Sequence, residues 1–159
     1  MEAKKAIFAA GCFWGVEANF RKVKGVISTR VGYTGGKFEN PTYKAVCSHK
    51  SGHAEAIEIT FDPSIVSYDE LLEVFWSIHD PTTLNRQGPD VGSQYRSAIF
   101  YLNADQKEKA ERSKAILEAA KRFKNPIITQ IVPASEFWEA EEYHQQYTEK
   151  RKNPFMVHF

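Results

Sequence analysis

Cysteine is nearly absent: the 159-residue chain has two, Cys12 and Cys47. That is too few for a disulfide scaffold, so each thiol is expected to be chemical or inert rather than a structural staple. No charge of one sign dominates. The 21 Lys and Arg against 20 Asp and Glu leave a formal charge of +1, which argues against nucleic acid and anionic lipid as partners. No apolar run approaches the roughly 20 residues that span a bilayer. The apolar stretch in residues 1–10 is too short for a signal peptide, so a cytoplasmic location is the default expectation. Repeats, low-complexity tracts and composition breaks are missing as well. Residues 1–159 are therefore expected to form one monomeric domain, large enough to bury a core. Aromatic residues are plentiful at 13%, which raises the question of whether the excess lines a pocket.

Hydrophobic periodicity outlines the elements. Residues 5–10 read as a short buried strand. Phe13, Val16, Phe20 and Val23 recur at helical spacing, and Gly25 ends that helix. Residues 26–33 are β-prone, 37–52 read as a long loop, and 53–61 alternate as a strand closed by Asp62-Pro63. Ser67 with Glu70 is a capping-box signature ahead of Leu71, Leu72, Phe75 and Ile78. A second long loop spans 80–94, and 95–102 is a strand. Asn103 and Gln106 open a charged helix with Ile116, Leu117, Ala120 and Phe123 expected inward. Residues 127–132 read as a strand and 135–147 as a final helix. The order βαββαβ predicts an α/β (α+β) fold: a ferredoxin-like split-βαβ two-layer sandwich. Its sheet is mixed and largely antiparallel, with an extra C-terminal strand and helix and long loops. Loops of such length in a compact domain usually carry function.

Cys12 lies between Gly11 and the start of a helix. Unpaired N–H groups and the positive dipole end stabilise a thiolate there, which predicts a pKa lowered into the range of roughly 3.5–7.5. Phe13 and Trp14 follow at once and could wall a small apolar pocket. The same residues are compatible with an inert buried thiol beside core aromatics.

On the strand 53–61, parity places Glu55 with Ile57, Ile59 and Phe61, while Glu58 falls on the other face as the expected solvated charge. Burial would raise the Glu55 pKa and make it a proton donor near neutrality; a frayed strand end would leave it in water. Tyr43 and Tyr95 end the two loops and could hydrogen-bond an oxyanion. Asp90 in a Pro-Asp turn is equally a turn former. His53 shares the Glu55 face and reads as a packed residue. His49 and His53 lack the second pair that a zinc set needs, so no metal is expected.

Gly11-Cys12-Phe13-Trp14-Gly15 resembles the signature of the methionine sulfoxide reductase A family, and the likeness extends along nearly the whole chain. It includes Val31-Gly-Tyr-Thr-Gly-Gly36, Asn40-Pro-Thr-Tyr43, Gly52-His-Ala-Glu55, Phe75-Trp76 with His79-Asp-Pro81, Gly92-Ser-Gln-Tyr-Arg-Ser97 and His144-Gln-Gln-Tyr147. The resemblance implies roles: Cys12 as nucleophile, Glu55 as the acid toward the sulfoxide oxygen, Tyr43 and Tyr95 as hydroxyls on that oxygen, Asp90 as a supporting carboxylate, and Phe13 with Trp14 around the S-methyl group. It implies the S epimer as substrate, free or in proteins, no bound cofactor, and an external thiol reductant such as thioredoxin, glutaredoxin or a small thiol. Attack would leave Cys12 as a sulfenic acid.

The chain departs from the family at one point. Many members carry a resolving cysteine shortly after a Lys-Asn-Pro like Lys152-Asn153-Pro154; here Phe155 to Phe159 follow and no cysteine does. Cys47 is then the remaining candidate resolver, and a disulfide with Cys12 would need Cα atoms within roughly 7 Å. Direct recycling by an external thiol is the expected route. Two rival functions are a cysteine hydrolase with a histidine base and a module that binds methionine sulfoxide without turnover.

Overall fold

Gly11, at φ +105°, turns the chain sharply from a buried strand into a helix, and the sheet is built outward from that strand. The computed structural model describes residues 2–37, 39, 41–47 and 52–152. In chain order these form β1 (Lys4–Ala10), α1 (Phe13–Arg21), β2 (Val26–Thr34), α2 (Tyr43–Cys47), β3 (Ala54–Phe61), α3 (Tyr68–Ser77), β4 (Arg86–Gln87), β5 (Asp90–Val91), β6 (Ser97–Tyr101), α4 (Ala104–Ala119), β7 (Gln130–Pro133), β8 (Trp138–Glu139) and α5 (Tyr147–Lys152). Single 3₁₀ turns cover Ser93–Tyr95 and Glu142–His144.

The main sheet has the order β7-β6-β1-β3-β2-β8. Its four central strands pair antiparallel, β3 lying between β1 and β2 as a split βαβ requires. β7 joins β6 in parallel, and β8 joins β2 antiparallel. The expected sandwich is present, with an added strand at each edge.

The alternation of each strand divides the buried residues between two faces. On the face covered by α1 and α3, Phe8 stacks against Phe20 at 5.5 Å and meets Phe75 at 5.2 Å. Val31, Ile57, Ile59 and Phe61 complete this core. The opposite face is a smaller cluster of Ile7, Ala9, Ala54, Ala56, Ala98 and Phe100. The predicted capping box forms: Ser67 Oγ accepts from Glu70 N while Glu70 Oε1 accepts from Ser67 N. Asn103 caps α4 by accepting from Gln106 N at 2.9 Å.

Several expectations are corrected. Residues 135–147 do not form a helix. Residues 138–139 extend along β2, where the Gln145 side chain accepts from Val31 N and donates to Val31 O, and tertiary bonds of this kind outweigh helical periodicity. On α4, Ile116 is 59% exposed and Ala120 is exposed; the helix turns Gln106 and Ala110 inward instead. The first loop contains α2, and Tyr95 ends a 3₁₀ turn rather than opening β6. β7 begins at Gln130, later than expected. α1 stops at Arg21, before Gly25. Glu58 is buried, not solvated, because its cross-strand neighbour Arg30 grips it with two bonds at 2.8 and 3.1 Å.

Gly32 carries β8. A Cβ there would stand 2.3 Å from the Trp138 carbonyl oxygen and 2.6 Å from the Phe137 ring. Overpacking of this kind costs about 1–3 kcal/mol. Gly32→Ala is expected to lower stability in urea denaturation by that amount, and an unchanged midpoint would contradict the packing described.

Candidate active site

The first turn of α1 supplies the nucleophile. Cys12 is the N-cap residue, at φ −56° and ψ 120°, and makes no side-chain cap bond of its own. The backbone N–H groups of Trp14 and Gly15 point to its sulfur and favour the thiolate. They do not win. Burial is the largest influence, and the negative charges of Glu55 and Asp90 add to it, so the thiol is pushed up to about 11. The expected lowering is therefore reversed in the unliganded site. A helix terminus contributes less than the loss of water around a buried sulfur.

β3 delivers the acid. Glu55 is 1% exposed and lies, as its parity indicated, on the helix-covered face. Its Oε1 accepts from Phe13 N at 3.2 Å, while Oε2 is buried with no hydrogen-bond partner among the described residues. Burial, reinforced by the charge of Asp90, raises its pKa to about 8 against the one lowering bond from Phe13 N. Glu55 thus carries a proton at neutral pH. In that state its repulsion of a Cys12 thiolate disappears, so the two groups titrate as a coupled pair.

The loops close the site. Tyr43 opens α2, and Tyr95 ends the turn before β6. Burial raises both phenols, Tyr95 to about 12, so each keeps its proton to donate. The Tyr95 hydroxyl lies in the fields of Glu55, Cys47, Asp90 and Cys12 together. Asp90 is held on the β4–β5 hairpin, whose Gln87 packs against Gly11; a Cβ on Gly11 would fall 2.9 Å from Gln87 Cγ. Cys47 follows Tyr43 by one helical turn and interacts with its hydroxyl. Burial raises this thiol too. All six polar residues expected at the site, Cys12, Tyr43, Cys47, Glu55, Asp90 and Tyr95, are thus brought into one electrostatic neighbourhood.

The two aromatics part company. Phe13 is 1% exposed and packs on Tyr33 and His144, at 5.7 and 5.1 Å. Trp14 is half-buried and stacks on Tyr147 at 3.9 Å. Its indole N–H donates to His144 Nδ1 at 2.9 Å, which places the proton of neutral His144 on Nε2.

His144 and Glu141 are functional neighbours that sequence reasoning missed. Glu141 accepts from Tyr33 Oη at 2.8 Å and from Tyr43 N at 3.1 Å. His144-Gln-Gln-Tyr147 stood out as a motif without a role, and Glu141 was hidden in an acidic run that resembles a solvated helix face. His53 accepts from Gly36 N at 3.0 Å, as a packed histidine should. Asn40, His49 and residues 153–159 lie outside the described residues. No group of three His, Cys, Asp or Glu side chains fit to hold a metal occurs among the described residues, and no helix among them is long and apolar enough to cross a membrane.

Comparison with known proteins points to one family. The family model described as peptide methionine sulfoxide reductase matches residues 4–159. Peptide methionine sulfoxide reductase MsrA of Methanosarcina acetivorans is 66% identical over 148 residues, covering 93% of this chain and 79% of the relative. Mxr1 of Saccharomyces cerevisiae in reduced form superposes with a TM-score of 0.88 at 36% identity, covering 96% of this chain and 87% of that one. Mxr1 solved in complex with Trx2 matches with a TM-score of 0.66 at 27% identity, covering 92% of this chain and 85% of that one.

Glu55 ties stability to pH. Its folded value of about 8 exceeds the ordinary 4.5, so the folded protein holds a proton that the unfolded chain releases. The stability it contributes is whole below pH 4.5, falls as pH rises, and is lost once pH passes about 8. Melting temperatures of the wild type should fall relative to Glu55→Gln across that window. Parallel curves from acid to pH 9 would mean that Glu55 is not buried as a neutral acid.

Proposed function

Since the chain belongs to the peptide methionine sulfoxide reductase family, we propose that its reduction of methionine sulfoxide runs through attack of Cys12 on the sulfoxide sulfur, with Glu55 as the acid. A sulfoxide sulfur is a poor electrophile until its oxygen is protonated or strongly hydrogen-bonded. The observation that carries the assignment is the Oε2 of buried Glu55, which has no hydrogen-bond partner among the described residues, on a carboxyl held beside Cys12 by the Phe13 N–H. With its pKa pushed up to about 8 by burial, that carboxyl has a proton to give. The hydroxyls of Tyr43 and Tyr95 donate to the sulfoxide oxygen as negative charge grows there. Asp90 shapes the field around them, and Phe13 and Trp14 wall the S-methyl group of the S epimer, free or in a protein.

The step balances without a cofactor. The Cys12 thiol and the sulfoxide become a Cys12 sulfenic acid and methionine: the oxygen moves from one sulfur to the other, methionine sulfur gains two electrons and Cys12 sulfur loses them. The proton that Glu55 gives is replaced by the one the thiol loses. A second thiol then condenses with the sulfenic acid, releasing water and leaving a mixed disulfide. An external thiol of the thioredoxin class fills this role best, supported by the solved complex of Mxr1 with Trx2; glutaredoxin or a small thiol would supply the same chemistry. A cytoplasmic setting keeps such thiols reduced. A hydrolase would need a histidine on Cys12. Among the described histidines, His144 accepts a hydrogen bond from the Trp14 indole N–H, His53 accepts from Gly36 N, and His79 spans Phe75 O and Ser97 Oγ.

Reduced enzyme mixed with excess racemic methionine sulfoxide and no reductant should form about one methionine per Cys12, from one epimer only. Absence of methionine from either epimer would sink the proposal. Glu55→Ala should slow this turnover by about 10²-fold or more, least in acid, where solvent protons substitute. A full rate at every pH would remove Glu55 from the mechanism.

The same mixture tests Cys47. With an external resolver, Cys12 is trapped as a sulfenic acid by dimedone and Cys47 still titrates as a free thiol. Loss of both thiols, without a dimedone adduct, would make Cys47 the resolver.

A further inference from the structure

We infer that Glu141 is the positioning residue that aims the Tyr43 hydroxyl, by clamping the start of α2 to the sheet beside Glu55. This rests on the reading of Tyr43 as a donor to the sulfoxide oxygen.

α2 has five residues, too few to hold itself together as an isolated helix. Its buried anchor is Val46. At its N-terminus the Tyr43 N–H is one of the donors that a helix cannot satisfy internally, and Glu141 Oε2 takes it at 3.1 Å. The second oxygen of the same carboxylate accepts from Tyr33 Oη at 2.8 Å. Tyr33 is itself immobile: it is fully buried, packs on Phe13, and lies directly opposite Glu55 in the β2–β3 register. One carboxylate thus joins the residue that presents the phenol to the strand neighbour of the acid.

The clamp is anchored on its own side as well. Glu141 follows β8, and the adjacent Ala140 N donates to Val31 O at 2.9 Å. Three residues on, the buried His144 ring supports the Tyr43 ring at 4.5 Å. Backbone and ring of Tyr43 are therefore held by one short segment. Burial acts to raise the Glu141 pKa, but its hydrogen bonds, including those from Tyr43 N–H and the Tyr33 hydroxyl, outweigh it and keep the carboxylate ionised. Both bonds are then charge-assisted, the stronger class.

A residue that only stabilised the fold would slow catalysis whatever stood at position 43. A residue that acts through Tyr43 has nothing left to lose once that hydroxyl is gone. The test is a double-mutant cycle on the whole protein, read as the rate of methionine formation in a single turnover. Glu141→Ala should slow that rate about 10-fold or more, and Glu141→Gln, which keeps one carbonyl oxygen, should slow it less. On a Tyr43→Phe background, adding Glu141→Ala should change the rate by less than about twofold. Alkylation of Cys12 at the wild-type rate would confirm that α1 is intact in each variant. If the two slowdowns multiply, or if Glu141→Ala reduces sulfoxide at full rate, the positioning role is overturned. If Tyr43→Phe alone keeps full rate, the failure lies with Tyr43 as donor. Should Glu141→Ala not fold, the Glu141→Gln cycle carries the same outcomes.

Discussion

The removal of Glu55 from water is the constraint on which the site depends. A carboxyl on a central strand, 1% exposed and with one bond from Phe13 N, is stable there only while it holds its proton. That proton is what a sulfoxide needs. The same burial raises the Cys12 thiol, so the resting site is a pair of neutral acids rather than a preformed thiolate and a counter-charge. In the proposed mechanism, reactivity arises when a substrate oxygen draws the proton from one side as the thiol gives up its own on the other.

Holding such a site together falls to the chain between β8 and α5. Gln145 bonds both the N–H and the carbonyl of Val31, and Gln146 N donates to the buried carboxylate of Glu17 on α1. Tyr147 stacks on Trp14, and His144 accepts a hydrogen bond from its indole N–H. Together with Glu141 these contacts join α1, α2 and β2 around Cys12. The polar residues are spent on tertiary bonds, and that is why a segment with helical periodicity never forms a helix.

Much of the architecture was legible because it is local. The stripe Phe13, Val16 and Phe20, the Ser67–Glu70 box and the Asn103 cap depend on residues within a turn or two of one another. The face of Glu55 followed from strand parity alone. The motifs around Cys12, Tyr43, Glu55 and Tyr95 carried the family, and the structure brings these residues together. The failures have a common origin. Glu58 was assigned to solvent because parity says nothing about a cross-strand arginine. Ile116 was turned inward because a weakly patterned charged helix has no clear apolar stripe. Glu141 carries no signal in the sequence because its partners, Tyr33 and Tyr43, are distant in the chain.

By itself, then, the sequence determined the order βαββαβ of the sandwich, the buried faces of α1 and β3 and the family, since each rests on short-range backbone geometry and side-chain type. Only the tertiary structure decided the protonation state of those groups and what aims them. Desolvation and Coulomb energies are sums over atoms contributed by β1, β3, α2 and the β4–β5 hairpin at once. Helix position predicted a thiolate at Cys12, and burial, the largest influence on it, instead makes it a thiol.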